Sequence, residues 1–162
     1  MTKLVPVKSI FSVCYGSNLE LNALKRDPDG INFVSRTARN NGVSAKVELD
    51  LNLKPIPAGC LTVAGGGSVL ETFVQPEPFY SGRDLYYLVP LERMTLQEKL
   101  YYCTVIRANR YRFNYGRQAN RTLKDIKIPA RSEVPSWVQE VFIHEVDGWR
   151  KKLSSLKKLT KV

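Results

Sequence analysis

The residues in this chain best suited to do chemistry are arginines set between aromatics: Arg110-Tyr111-Arg112-Phe113-Asn114-Tyr115-Gly116-Arg117. A guanidinium fork pairs with phosphate oxygens, and an aromatic beside it packs on a sugar or a base. The same alternation also fits a strand over 111–115, with Tyr111, Phe113 and Tyr115 turned inward and the arginines facing water. The two readings are compatible. The charge extends beyond this motif. Residues 107–127 hold seven bases (Arg107, Arg110, Arg112, Arg117, Arg121, Lys124, Lys127) against one acid, Asp125, a surplus of six out of a formal +10 for the chain. A second group, Arg36, Arg39 and Lys46, lies in a stretch free of acids, and a third closes the chain with Arg150, Lys151, Lys152, Lys157, Lys158 and Lys161. A solvated face explains the third group as well as a partner does. For the first group the natural inference is a polyanion, of which nucleic acid is the commonest.

Signatures of catalysis are missing where they would be expected. No GxxxxGK[ST] phosphate loop occurs. Gly65-Gly66-Gly67 precedes the β-like Val69-Leu70-Glu71-Thr72-Phe73-Val74, so no helix N-terminus faces a phosphate there. These glycines instead permit a bulge, or close approach of the backbone to a large partner. Asp125-Ile126-Lys127 has an acid-x-Lys spacing but no second carboxylate placed to share a Mg²⁺ ion. The Asn/Asp-Pro-Pro-aromatic motif of adenine methylation is absent, and the one histidine, His144, stands beside Glu145 with no nucleophile near it. Cys14, Cys60 and Cys103 are odd in number and far apart, which fits reduced thiols in a cytoplasm and no zinc site. The chain reads as a binder with no catalytic residue, cofactor or metal.

The elements that must position these residues come from 162 residues with 43% hydrophobic and 10% aromatic content. That composition makes a folded domain, or a domain with an arm, burying roughly 70% of its unfolded surface. No apolar run approaches the ~20 residues of a membrane span, and the first residues do not form a secretory signal. Val7, Ile10, Phe11 and Cys14 predict a short helix within 4–15. Asp27-Pro28-Asp29-Gly30 predicts a turn before a strand over 31–35. A polar loop over 36–45, centred on Asn40-Asn41-Gly42, leads to a weak strand over 47–51. Further strands are expected over 60–64, 69–74 and 84–89. Thr95-Leu96-Gln97-Glu98 is a capping box opening a helix over 96–109, with Leu96, Leu100 and Cys103 on one face. One helical turn over 121–125 is expected before Ile126-Lys127-Ile128-Pro129.

After a hinge over 130–134, a long helix starts near Pro135 or Ser136, where Ser136-Trp137-Val138-Gln139 offers a second capping box. Phe142, Val146, Trp149, Leu153 and Leu156 follow at spacings of 4, 3, 4 and 3. That heptad seam suits packing along another helix, and about 25 residues would span ~38 Å. The expected fold class is α+β: a mixed β-sheet globule over 1–131 with a C-terminal helical arm over 132–162.

At this point three segments become recognisable. Gly30-Ile31-Asn32-Phe33-Val34-Ser35-Arg36-Thr37-Ala38-Arg39-Asn40-Asn41-Gly42-Val43 resembles the opening motif of a target recognition domain, the DNA-reading part of restriction–modification specificity subunits. Gly67-Ser68-Val69 through Gln75, followed by Pro78-Phe79-Tyr80, is similar to the middle motif. Arg110 through Pro129, including Gln118-Ala119-Asn120-Arg121-Thr122-Leu123, is similar to the closing motif. The resemblance covers about residues 7–129 plus the long helix, and it points to type I specificity subunits and fused type II restriction–methylation enzymes.

The resemblance implies a domain that reads one half of a double-stranded DNA target, carries no catalysis, and positions an adenine-N6 methyltransferase and in some relatives a nuclease. Full specificity subunits have two such domains joined by antiparallel helices. This chain has one domain and one helix, as a half-subunit, a recognition subunit or a fragment would. In that frame Arg36 and Arg39 are candidates to read guanine, and Asn40 and Asn41 to read adenine, with plain turn-making as the other role of the asparagines. Lys46, Arg112, Arg117, Arg121 and Lys124 are candidates for the DNA backbone, and Gly65, Gly66 and Gly67 for close approach to it. Phe142, Val146, Trp149, Leu153 and Leu156 form the seam of a two-fold homodimer reading inverted half-sites, or of a dock for the methyltransferase. Two other readings stay open: a single-strand DNA or RNA binder stacking bases on Tyr111, Phe113 and Tyr115, and an interaction or decoy protein with no DNA partner.

Overall fold

Three sheets are assembled from strands distant in sequence in the computed structural model, which describes residues 1–113, 119–141, 147–148 and 150–151. The four-stranded antiparallel sheet has the order β2 (Phe11–Tyr15), β8 (Leu85–Pro90), β5 (Leu61–Ala64), β6 (Thr72–Val74). The three-stranded sheet places β3 (Arg26–Val34) between β4 (Val43–Val47), antiparallel, and β7 (Phe79–Ser81), parallel. A third pair joins β1 (Leu4–Pro6) to β9 (Lys127–Pro129), antiparallel, so the chain's start is tied to its basic closing segment. The helix α1 (Leu96–Ala108) packs on β6. The fold is α+β with mixed strand directions, as expected.

The main core lies between α1 and the four-stranded sheet, where Phe11, Leu61, Val63, Leu70, Leu88, Tyr102 and Ile106 are fully buried. Burying a side chain of this size stabilises by about 1.5–3 kcal/mol. The capping box forms as read: the Thr95 hydroxyl accepts from the Glu98 N–H at 3.2 Å, and the Thr95 N–H donates to Glu98 Oε2 at 2.8 Å. The buried face keeps Cys103 of the expected set but is turned away from Leu96. Leu96 is exposed, while Tyr102, Cys103 and Ile106 face the core. Tyr102 sets this rotation, because its ring meets Phe11 edge-on at 5.4 Å and its hydroxyl donates to the Pro129 carbonyl at 3.2 Å.

Several local expectations are corrected by pairing across the fold. Residues 4–15 are not a helix but β1, a 3-10 turn over Val7–Ser9, and β2. The turn repeats about every three residues, so it buries Val7 and Ile10 at a spacing that mimics a helix. The strand expected over 47–51 is β4, four residues earlier, because the chain reverses at once through left-handed Asn40, Asn41 and Gly42 (φ 48°, 54° and 81°). Asp27-Pro28-Asp29-Gly30 does turn, but inside β3. Arg26 and Ile31 both pair with Val47, and the Asp29 N–H donates to Asp27 Oδ1 at 2.9 Å. β6 is confined to Thr72–Val74, since Leu70 adopts φ 59°.

The arginine-aromatic segment is not a strand over 111–113. It is a 3-10 continuation of α1 over Asn109–Phe113, and the remainder of the motif, Asn114 to Gln118, lies outside the described residues. The alternation carried the right residue types for a strand, but Phe113 packs on the core while Tyr111 stays 66% exposed.

The segment read as a hinge over 130–134 is instead pinned. The Ala130 N–H donates to the Lys3 carbonyl at 2.9 Å, and Arg131 reaches Glu92 (2.7 Å), Glu98 (3.1 Å) and the Arg93 carbonyl (3.0 Å). Ser136 forms no capping box. Ser136–Gln139 is a 3-10 turn with no side-chain cap, and Gln139 Oε1 accepts from the Thr95 hydroxyl at 3.2 Å. Val141, Asp147, Gly148, Arg150 and Lys151 are helical, while the seam residues Phe142, Val146, Trp149, Leu153 and Leu156 lie outside the described residues.

Candidate nucleic-acid interface

β3 and β4 form a hairpin that carries the second basic group, Arg36 and Arg39 in its tip over residues 35–42 and Lys46 on β4. The tip closes on itself through the Ser35 N–H to the Gly42 carbonyl and the Gly42 N–H to the Arg39 carbonyl, both 2.9 Å. It is seated on the end of β6. Asn41 Nδ2 donates to the Val74 carbonyl at 2.9 Å, and Gln75 Nε2 donates to the Asn41 carbonyl at 2.9 Å. Asn40 Nδ2 donates to the Val43 carbonyl at 3.0 Å. Both asparagines therefore display the turn-making role, with left-handed backbones that Asn tolerates better than most residues. Arg39 at the tip and Lys46 on β4 are exposed, with no ion-pair partner among the described residues. Arg36 differs: its Nη1 lies 2.7 Å from Asp84 Oδ2, so its guanidinium is turned toward the body of the protein.

The three segments that sequence alone singled out meet at one place. Gly65 donates its N–H to the Asp84 carbonyl at 2.8 Å and accepts from the Ala119 N–H at 2.9 Å. A Cβ on Gly65 would stand 2.2 Å from Asn120 Oδ1 and 2.9 Å from the Tyr86 ring. Gly67, at φ 61°, lies against the backbone of Arg36, whose carbonyl accepts the Ser68 N–H at 3.3 Å. The close approach that Gly65 and Gly67 permit in this structure is to the chain's own closing and opening segments. Gly66 is buried. Sequence reasoning missed Asp84 and Tyr86, whose hydroxyl donates to the Asn120 carbonyl at 2.7 Å. No local pattern marks either residue, since both act on segments far along the chain.

The basic closing segment is partly neutralised from within. Glu71, largely buried, accepts from Arg110 and lies 3.8 Å from Arg107, whose guanidinium also sits over the Phe73 ring at 5.8 Å. Arg112 lies 5.6 Å from the Tyr111 ring centre, and its Nε donates to the Tyr111 hydroxyl at 3.1 Å. Lys8 at 2.8 Å holds the Asp125 carboxyl below the usual range. Arg121, Lys124 and Lys127 remain exposed without an ion-pair partner among the described residues. Arg117 lies outside them.

Burial pushes the Cys103 thiol up to about 12, so it supplies no thiolate near neutral pH. No cluster of three His, Cys, Asp or Glu side chains suited to a metal ion occurs among the described residues. No described helix is long and apolar enough to cross a membrane. The arrangement is one of cations displayed on a hairpin and on a neighbouring segment.

The family model described as the type I restriction modification DNA specificity domain matches residues 2–130. The specificity subunit of the type II restriction enzyme BgcI from Heyndrickxia coagulans is 27% identical over 135 residues, covering 81% of this chain and 39% of that protein. The HsdS subunit of Thermoanaerobacter tengcongensis shares the fold with a TM-score of 0.62 at 16% identity, covering 98% of this chain and 39% of that one. The S subunit of a type I restriction-modification system from M. genitalium does so with a TM-score of 0.61 at 14% identity, covering 98% and 43%. The chain spans about two fifths of the length of these relatives.

Proposed function

The chain belongs to the family of type I restriction modification DNA specificity domains, and from that premise we propose that it reads one half of a double-stranded DNA target as a non-catalytic specificity component. The observation that carries this reading is the pairing of two cationic elements at one junction. The hairpin bearing Arg39 and Lys46 and the segment bearing Arg121 and Lys124 are joined through Asp84, which bonds both Arg36 and Asn120. A two-stranded ribbon fits the major groove, where an arginine can read guanine through two hydrogen bonds. Lysines and arginines on a neighbouring element can hold the flanking phosphates. Arg39 is the principal base reader. Lys46, Arg112, Arg117, Arg121 and Lys124 are the backbone contacts.

In the same reading an adenine-N6 methyltransferase, with or without a nuclease, supplies the chemistry that this chain lacks. The C-terminal arm pairs two copies through Phe142, Val146, Trp149, Leu153 and Leu156, so that a two-fold axis presents inverted half-sites. The double variant Trp149→Glu with Leu153→Glu should then sediment as a monomer while the parent sediments as a dimer. A parent that is monomeric at tens of micromolar removes the homodimer and leaves the methyltransferase as the arm's partner.

The direct test is selection from a random duplex pool, followed by titration of the enriched site against a scrambled duplex and a single strand across a salt series. A preferred duplex sequence with a steep salt dependence supports the reading. One observation favours the single-strand alternative: Tyr111 is 66% exposed beside Arg112. In that case the single strand would outcompete every duplex, and Tyr111→Ala would abolish its advantage.

A further inference from the structure

We infer that Asp84 is a positioning residue for recognition. It holds Arg36 as a brace, and the brace sets the hairpin tip at a fixed offset from the basic closing segment. This inference rests on the DNA-reading role proposed above, and it reassigns Arg36 from reading bases to supporting the residues that do.

Every polar group of Asp84 is engaged, and each partner comes from a different part of the chain. Its N–H donates to the Tyr15 hydroxyl of β2 at 2.9 Å. Its carbonyl accepts from the Gly65 N–H at 2.8 Å. Oδ2 takes Arg36 Nη1 at 2.7 Å, and Oδ1 takes Asn120 Nδ2 at 3.2 Å. The residue does this in the left-handed region, at φ 53°, which Asp and Asn adopt more readily than most non-glycine residues. Arg36 is clasped at its other end too, by the Ser68 N–H on its carbonyl and by Gly67 against its backbone. The stem of the tip thus cannot shift without breaking contacts to the middle segment and to Asp84 together. Asn120 is bound to the same carboxylate and immediately precedes Arg121, so tip and phosphate-binding segment share one anchor.

The charge of Asp84 makes the inference testable by sign. Asp84 is an acid in a surface proposed to meet a polyanion. If it did nothing more than pair with a reading arginine, removing its charge would free Arg36 and strengthen DNA binding. If it braces the tip, removing its charge weakens binding to the preferred site while binding to random duplex holds or rises. Asp84→Asn is the appropriate variant, because Asn tolerates the left-handed backbone and retains the shape of the carboxylate.

The experiment combines two readouts on the intact chain. The first is discrimination between the enriched duplex and a scrambled one for the parent, Asp84→Asn, Arg36→Ala and Arg36→Lys. The second is amide hydrogen exchange at residues 35–42 without DNA, with α1 as internal reference. Asp84→Asn and Arg36→Ala should each reduce discrimination at least tenfold across the whole half-site, and should speed exchange at the tip while α1 stays protected. Arg36→Lys should keep most of the discrimination, because the contact to Asp84 uses a single guanidinium nitrogen. Arg36→Ala that alters preference at one base pair only, or Asp84→Asn that tightens the preferred site, overturns the brace and makes Arg36 a reader. Unchanged exchange at the tip overturns it as well. A parent with no preferred duplex instead overturns the recognition reading itself and with it any role for Asp84 in recognition.

Discussion

The hairpin tip and the closing basic segment look alike along the chain and behave differently in the fold. Each is a run of arginine and lysine with almost no acid near it in sequence. In the structure each meets one buried or half-buried carboxylate from elsewhere. Asp84 takes Arg36 of the tip, and Glu71 takes Arg107 and Arg110 of the closing segment. Exposed without an ion-pair partner among the described residues are Arg39 and Lys46 on one element and Arg112, Arg121, Lys124 and Lys127 on the other. Linear charge density is therefore a poor map of the field a partner meets. Two acids distant in sequence decide which of these cations are neutralised from within and which keep an unpaired charge.

The largest effect expected is on the junction that joins the two regions. Gly65→Ala places a Cβ 2.2 Å from Asn120 Oδ1 and 2.9 Å from the Tyr86 ring. It should destabilise the fold by about 1–3 kcal/mol, the usual cost of overpacking a tight contact. Chemical denaturation would measure it, and a variant as stable as the parent would show that the two segments are not held together there.

The division of labour is sharpened by Arg39→Ala against Arg121→Ala. The first should lose about 1–3 kcal/mol at the preferred site and relax preference at one base pair. The second should weaken every duplex alike and flatten the salt slope by about one. Binding profiles over a duplex library, taken at several salt concentrations, separate the two, and exchanged phenotypes would reverse the assignment.

A subtler test turns structural cations into offered ones. Glu71→Gln removes the charge shared by Arg107 and Arg110. Binding to random duplex should tighten, and the salt slope should steepen by about one to two if both arginines reach phosphates. An unchanged slope would mean that these arginines point away from DNA even when released.

The smallest effect lies past the end of the closing segment, where Arg131 ties the following turn to Glu98. Burial disfavours the Glu98 carboxylate, but hydrogen bonds from the Thr95 backbone and from Arg131 outweigh it and hold its pKa below the ordinary 4.5. Between the lowered folded value and 4.5 the unfolded chain binds more protons, so stability rises with pH there. The contribution is complete above about pH 4.5 and is lost as pH falls through the folded value. Glu98→Gln should flatten the acid limb of a stability-versus-pH curve while leaving the neutral plateau lower and level. An acid limb identical to the parent's would place the responsible group elsewhere.

Sequence reading succeeded where the determinant was local. The Thr95–Glu98 capping box, the Asn40-Asn41-Gly42 reversal and the turn at Leu123–Asp125 each depend on residues within a few positions of one another. It failed where a distant partner set the geometry. Residues 4–15 repeat apolar residues at near-helical spacing, yet β1 pairs with β9 and β2 with β8. A residue such as Phe11 is equally content on a helix face or a strand, so the available ladder chose. The candidate site followed the same rule. Its residue types were legible, while the commitment of Arg36 and the inward use of Gly65 were not, because their partners lie tens of positions away.

By itself the sequence determined the α+β class, the basic surplus concentrated in two segments, the reversal that makes a hairpin of the opening motif, and the family to which those segments belong. These follow from composition and from short-range sterics and hydrogen bonding, which a chain carries into any fold. Only the tertiary structure decided which cations face solvent, which are neutralised, and how the tip is seated against the closing segment. Those outcomes depend on where Asp84, Glu71 and Gly65 come to rest after the sheets have paired. Electrostatic and steric forces of that kind act across a few ångströms of space, whatever the separation along the chain.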